Sequence, residues 1–490
     1  LAVIYPSAAA AIAAVSPSAK APYAWDPRQL ALNRFGFGAK PADRLTAFDP
    51  DAWWATQVAT GTASPGYSAF PPAATMGPLL TQTPAQARAY MKAQGNEYNW
   101  TAMDQLCVVT LAMQMFSPAQ LFETVVDFFS NHLNVANRTS DVWNTRHDYD
   151  RLVIRANAFG TFEAMLQASA KHPAMLYYLN QAESNKTAVN ENYGRELLEL
   201  HTVGLNYTEA DVKNSAAIMT GRTVNDADQT YVYKSNIHST GPVTVLGFSD
   251  PNATGAGGEA VGNAYVSYLA RHQLTAQNLA RKLCLHYVSD TPSADLISKI
   301  AAVYLANGTA ILPTVSAIFC SDEFWLSRGN KVRRPCENVV ATVRAINQQP
   351  ASDYATAIGQ VRWWIFNMNN SPLECLTPNG YGDLAAQWRS AGNLINLWNL
   401  HRGLTLGWWN GWVTVDPATL LNGVTPATAG AAIDALSNTL VGQPVSAAHK
   451  QTLLTYVGDA ATTAYASSRT KSTLAGLAVL LLDSPYFATR

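Results

Sequence analysis

The densest group of chemically able side chains lies in the run NENYGRELLELHTVGLNYTEADVKNSAAIMTGRTV, residues 190–224. Placed on a helix at roughly 100° per residue, Glu191, Arg195, Glu199, Asn192 and Glu196 form one polar arc. Leu200, Tyr193, Leu197, His201, Gly194 and Leu198 form the opposite, apolar arc, so His201 is expected in packing. Glu191, Arg195 and Glu199 make an i, i+4 ladder. Exposed, such a ladder is an ordinary solvated face worth roughly 0.2–0.5 kcal/mol per pair. Covered by another element, three carboxylates sharing one guanidinium cannot all stay ionised, and one takes up a proton or a cation. Glu196 and Glu199 then become an acid–base pair or ligands, and Arg195 orients an anionic group.

Two further histidines could complete such a site. His132 follows Val125, Phe128 and Phe129 on an apolar helical face, and His238 lies in an alternating stretch. The expected catalytic group is Glu196, Glu199, His132 and Arg195; His132, His238 and Glu196 are the set that could hold one divalent metal ion. Each has a plainer reading: core histidines at 132 and 201, a solvent-facing strand residue at 238, a solvated arc on the helix. Familiar templates are absent from the sequence. Glu199 is followed three residues on by Thr202, so the Glu-x-x-His of a di-iron bundle is missing. There is no GxGxxG after a strand, no GxxxxGK[ST], no HExxH and no GxSxG. Asp226-Ala227-Asp228 lacks the glycine and terminal glutamate of a calcium loop.

The elements that must position these groups are mostly helical. Helices are expected from Asp26 to Phe35, from Pro41, from Pro84 with Thr83 as cap and a break near Asn96, and from Ser117-Pro118 to His132. Thr208 to Asp211 reads as a capping box, and Gly204 and Gly221 stand where helices end. Residues 229–248 alternate and are rich in β-branched and aromatic side chains, which predicts a hairpin or ribbon. Residues 367–383 form a Pro/Gly/Asn-rich loop. The expected fold is all-α: a large multi-helix domain with one inserted β-ribbon. Its parts are an N-terminal arm (1–25), a main helical domain (26–366) and a C-terminal helical part (384–490) packed upon it.

Composition narrows the function classes. A net charge of −1 gives no electrostatic case for nucleic acid or an anionic membrane. Charged residues make up 14%, against roughly 25% in ordinary soluble proteins. Thirteen Trp and 21 Tyr serve a large core, and can also offer stacking surfaces to a sugar ring or a partner. The longest apolar run, Leu474–Leu482, is too short to cross a bilayer. The uncharged, Ala-rich start, residues 1–19, lacks a basic region and is expected to be a mature arm. Five cysteines are widely spaced, without CxxC. Seven N-x-[ST] sequons begin at Asn99, Asn137, Asn185, Asn206, Asn252, Asn307 and Asn369; in a bacterial protein they are incidental, in a eukaryotic secretory one they mark glycans.

The helix NENYGRELLELHTVG resembles the bacterial domain-of-unknown-function 1800 proteins, whose helix reads much like NENYARELLELHTLG. LALNRFGFG, FFSNHLNV, HPAMLYYLN, ARKLCLHYVSD, CSDEFW, KVRRPCENVVATVRAI and SPYF resemble further blocks of that family, in the same order. The resemblance implies an exported, periplasmic or extracellular protein with an exported protein partner or self-association. It brings no agreed activity. Ser130-Asn131-His132 stands where the family has HNH, and Ser239 where it has Asp after the histidine, so a multi-histidine metal site is weakened. Cys336 and Cys375 occupy positions where the family often has apolar residues, which implies a disulfide pair; buried free thiols are the other reading. The expected function is an exported acid–base or metal-assisted hydrolase acting on a polar substrate, such as a glycan or polymer. The alternatives are a non-catalytic secreted scaffold or partner-binding protein, or a redox metalloprotein.

Overall fold

In the computed structural model, residues 27–45, 47–96, 98–139 and 142–490 are described. The expected arm, 1–25, lies outside them. The fold is mostly helical (59%), with two small two-stranded antiparallel sheets among the described residues. The helices used below are α1 (Pro27–Arg34), α2 (Pro84–Ala93), α3 (Thr101–Phe116), α4 (Gln120–His132), α5 (Glu191–Glu196), α6 (Glu209–Met219), α7 (Gln273–Tyr287), α8 (Pro335–Ala345), α9 (Tyr354–Asn367), α10 (Ala391–Thr405) and α11 (Leu474–Leu482).

Local chemistry accounts for many of the starts. Thr83 and Gln86 close a capping box on α2, with Pro84 in the first turn, and Thr208 and Asp211 do the same for α6. The break expected near Asn96 parts α2 from α3. Ser117-Pro118 does not begin α4: the Ser117 hydroxyl accepts the Ala119 N–H at 3.1 Å and forms a turn, so the helix starts at Gln120. The hairpin expected near 229–248 is present, within a region from 222 to 250 that forms two of them: β1 (Arg222–Asn225) with β2 (Thr230–Tyr233), and β3 (Val243–Val245) with β4 (Phe248–Asp250). A helical turn at Ser235–Ile237 and then Pro242, which has no N–H to give a ladder, separate them.

Among the described residues, two large hydrophobic cores organise the helices, and a small third cluster joins α2 to α3 through Ala87, Met91 and Ala102. Of the two large cores, one gathers Phe122 and Phe129 of α4 with Leu197, Leu198 and Leu283. The other gathers Leu106 of α3, Val340 of α8, Ile365 of α9, Leu404 of α10 and Leu477 of α11. Every residue of α8 is buried, charged ones included. No helix among the described residues is long and apolar enough to cross a membrane. Of the sequon asparagines, Asn137 and Asn252 are buried and hydrogen-bonded inside the fold, which leaves no room there for a glycan.

Candidate functional site

The polar arc of α5 lies half-exposed, and the helix widens into a π turn from Leu197 to His201. Both Arg195 Nη atoms donate to Glu209, each at 2.7 Å, and Glu191 lies 3.6 Å away. Arg195 is thus engaged by an exposed carboxylate of α6. The Tyr207 hydroxyl donates to Glu199. Partial burial, and then the charge of Glu199, push the Glu196 carboxyl above its usual range. His201 is in the packing as expected, at 1% exposure; burial pushes it down to about 3, and neither ring nitrogen has a hydrogen-bond partner among the described residues.

His132 is buried beside it. Its Nε2 lies 3.1 Å from the His201 carbonyl oxygen, so that nitrogen carries the proton, and Nδ1 accepts from Lys282 Nζ at 3.2 Å. Lys282 also donates to the Leu200 carbonyl at 2.9 Å. His238 Nδ1 lies 2.9 Å from the Thr220 carbonyl oxygen, and its Nε2 lies 2.8 Å from Asn252 Oδ1. Each histidine expected as a ligand therefore has both nitrogens in use elsewhere. Among the described residues, no group of three or more His, Cys, Asp or Glu is arranged to hold a metal ion. His132, His238 and Glu196 are not brought together as one.

A different convergence occurs at the start of α8. Arg334 Nη2 donates to Asp127 of α4 at 2.6 Å, and its Nε donates to Glu337 at 3.0 Å. Arg490 approaches the same Glu337 at 3.1 Å. Burial alone would raise the Glu337 carboxyl, but Arg334 and Arg490 hold it at about 2. Asp383 accepts from His286 Nδ1 at 3.1 Å. Burial opposes its charge as well, yet His286, Arg334 and Lys331 keep it well below the usual carboxylate range. Burial pushes His286 down, and the Asp383 carboxylate opposes that shift. Lys331 joins Asp290 at 2.6 Å and also donates to the Asp383 carbonyl. Buried charges of this density are costly unless fully paired.

Two clefts flank this turn. The polar one, lined by Asp127, Ser130, Asn131, Cys336, Glu337 and Cys375, leaves about 30 Å³ of open space. That holds about one water molecule. Its lid is the loop after α9: Asn131 Nδ2 donates to the Tyr381 carbonyl and Asn131 Oδ1 accepts the Tyr381 N–H, both at 2.7 Å. Gly380 permits this approach, because at φ +68° a Cβ would sit 2.4 Å from the Asn131 carbonyl oxygen. Cys336 and Cys375 face the same cleft and both are free thiols, so the expected disulfide is not formed.

The other cleft is far roomier, at about 640 Å³, within the range of small-molecule sites. Trp388, Leu394, Leu397 and Trp398 give it an apolar wall; Arg333, Arg389 and Asp483 supply charge. Burial lowers the Arg333 guanidinium to about 9. Asp483 sits just past the C-terminus of α11, where the helix dipole disfavours an anion, so helix stability does not explain it. His401 of α10 does: its Nδ1 lies 2.7 Å from Asp483 Oδ1, and its Nε2 lies 2.8 Å from Asn338 Oδ1. The imidazole is 2% exposed and the carboxylate 20%, so only the acid reaches the cleft. The sequence offered little sign of this chain, whose members lie at 338, 401 and 483.

Comparison with known proteins gives one match. The model of a family described as a protein of unknown function (DUF1800) matches residues 30–489. No curated protein and no solved structure matches the chain.

Proposed function

The chain belongs to the DUF1800 family, and on that premise we propose that it is an exported acid–base hydrolase of a polar substrate, with its reaction centre at Asp483. The carrying observation is a carboxylate backed by a buried histidine and opening into the roomier of the two clefts beside α8. Asp483 takes a proton from a cleft water, the resulting hydroxide attacks the electrophilic centre of the substrate, and the carboxylic acid returns the proton to the leaving group. His401 acts through Asp483: its buried imidazole fixes the orientation of the carboxylate. Arg389 holds a polar or anionic substituent, and the indoles of Trp388 and Trp398 cover its apolar parts. The Glu196–Glu199 arc has less support, because Arg195 and Glu199 already have partners on its own side.

The test is a panel of chromogenic esters, phosphoesters and glycosides offered to the purified protein. Asp483→Asn should lower any turnover found by at least ~100-fold, the usual size of a general-base contribution, with an unchanged melting temperature. Glu196→Gln should leave turnover intact. Full activity in Asp483→Asn would remove the site. A protein inert to the whole panel that co-purifies with an exported partner would favour the non-catalytic, partner-binding reading.

A further inference from the structure

The chain contains two tryptophan pairs in short aromatic runs, RWWIF at 362–366 and GWWNGW at 407–412. On α9, Ala357, Ile358, Val361 and Ile365 are buried; Trp363 points away from the core, and half-buried Trp364 packs against its edge. The second pair lies in the turn after α10, anchored by Trp412, whose Nε1 donates to the Ala357 carbonyl at 3.2 Å. Gly403 lets this turn fold back on α10, because a Cβ there would meet the Trp409 ring at 2.8 Å.

The two pairs meet. Trp364 and Trp409 stack with centroids 5.7 Å apart and planes 17° from parallel, while Trp363 stands at 88° to Trp364. Trp363 and Trp408 remain 60% and 57% exposed. Together with Gln360 and Asn410 they line an open cleft of about 400 Å³. The guanidinium of Arg402 lies over the Trp408 ring, 4.9 Å from its centroid, and steadies that ring. Gln360 Oε1 is buried and has no hydrogen-bond partner among the described residues.

We infer that this cleft is a binding site for a neutral glycan. A pyranose ring offers an apolar C–H face to an indole and hydroxyl groups at its rim. The cleft supplies the matching parts: indole surfaces and the side-chain amides of Gln360 and Asn410. None of the six lining residues is charged, which suits an uncharged ligand. A nucleic acid would bring phosphates for which the six lining residues offer no cation, Arg402 being stacked on Trp408, and a purely apolar ligand would leave the amides of Gln360 and Asn410 without partners. This site is independent of Asp483, and stands or falls separately from the hydrolase reading.

Titration of the full chain with cellohexaose, chitohexaose and maltohexaose, followed by intrinsic tryptophan fluorescence and calorimetry, tests it. At least one hexasaccharide should give a saturable change. Trp363→Ala and Trp408→Ala should each bind roughly tenfold more weakly, at unchanged melting temperature because both side chains are exposed. Gln360→Ala should also weaken binding. The inference is overturned by the absence of saturable binding to all three at millimolar concentration, or by wild-type affinity in the Trp363/Trp408 double variant. It is overturned too if Trp408→Ala abolishes self-association in sedimentation while no saccharide binds.

Discussion

Lys282 donates to His132 Nδ1 across 3.2 Å in a place where burial opposes the charge of both. Because His132 Nε2 must give its proton to the His201 carbonyl, the imidazole is neutral and its remaining lone pair is already taken. That pairing explains why a histidine on an amphipathic helix is here a fixed acceptor and not a ligand.

The same pair sets a pH dependence. Burial lowers the Lys282 ammonium from 10.5 to about 8. Between those values the unfolded chain holds the proton and the folded one does not, so stability rises with pH across that window. Lys282→Met should flatten the slope of melting temperature against pH from 8 to 10, relative to wild type. Parallel curves for the two proteins would show that Lys282 is not depressed in the fold.

Glu337 predicts the opposite arm. Its carboxyl falls from 4.5 to about 2 on folding, which corresponds to stabilisation on the order of 3 kcal/mol at neutral pH. A lowered acid contributes above the unfolded value, and the contribution fades as pH falls from 4.5 toward 2. Glu337→Gln leaves Arg334 and Arg490 buried without their shared carboxylate, so a loss of roughly 3–5 kcal/mol is expected in urea melts at pH 7. The difference should shrink in acid; a constant difference down to pH 3 would contradict the assignment.

Helices were legible in the sequence where caps are local, as with Thr83–Gln86 and Thr208–Asp211, and His201 was legible because burial follows the helical period. The start of α4 was not, because Ser117 caps a turn equally well. The convergence at α8 was not legible either. Asp127, His286, Glu337, Asp383 and Arg490 carry no shared period, and only tertiary packing brings them together. Nor could a helical wheel reveal that Arg195 would turn to Glu209 on the next helix.

That Arg195–Glu209 pair is exposed, and its bidentate geometry does not make it strong in water. Arg195→Ala should change stability by less than about 1 kcal/mol, and less again at high salt, where exposed charges are screened. Guanidinium denaturation cannot separate these effects, so urea is the denaturant of choice. A loss of several kcal/mol would mean that the arc is covered by a partner or a second copy in solution.

Thiol accessibility distinguishes the five cysteines. Burial raises the Cys107 thiol to about 12, and raises Cys284 and Cys336 as well, so each resists forming the reactive thiolate. Cys320 and Cys375 are only half-buried. Maleimide labelling of the native chain at pH 7 should therefore modify Cys320 and Cys375 first, located by peptide mass spectrometry. In denaturant without reductant, all five should react. Three reactive thiols, with Cys336 and Cys375 protected together, would show that the two residues facing the polar cleft are joined after all. The loop carrying Gly380 and Tyr381 would then be tied covalently to the first turn of α8, and reduction should lower the melting temperature. Five reactive thiols and a melting temperature indifferent to reductant are the expected result. Closure of that cleft then rests on Asn131 and its paired bonds to Tyr381.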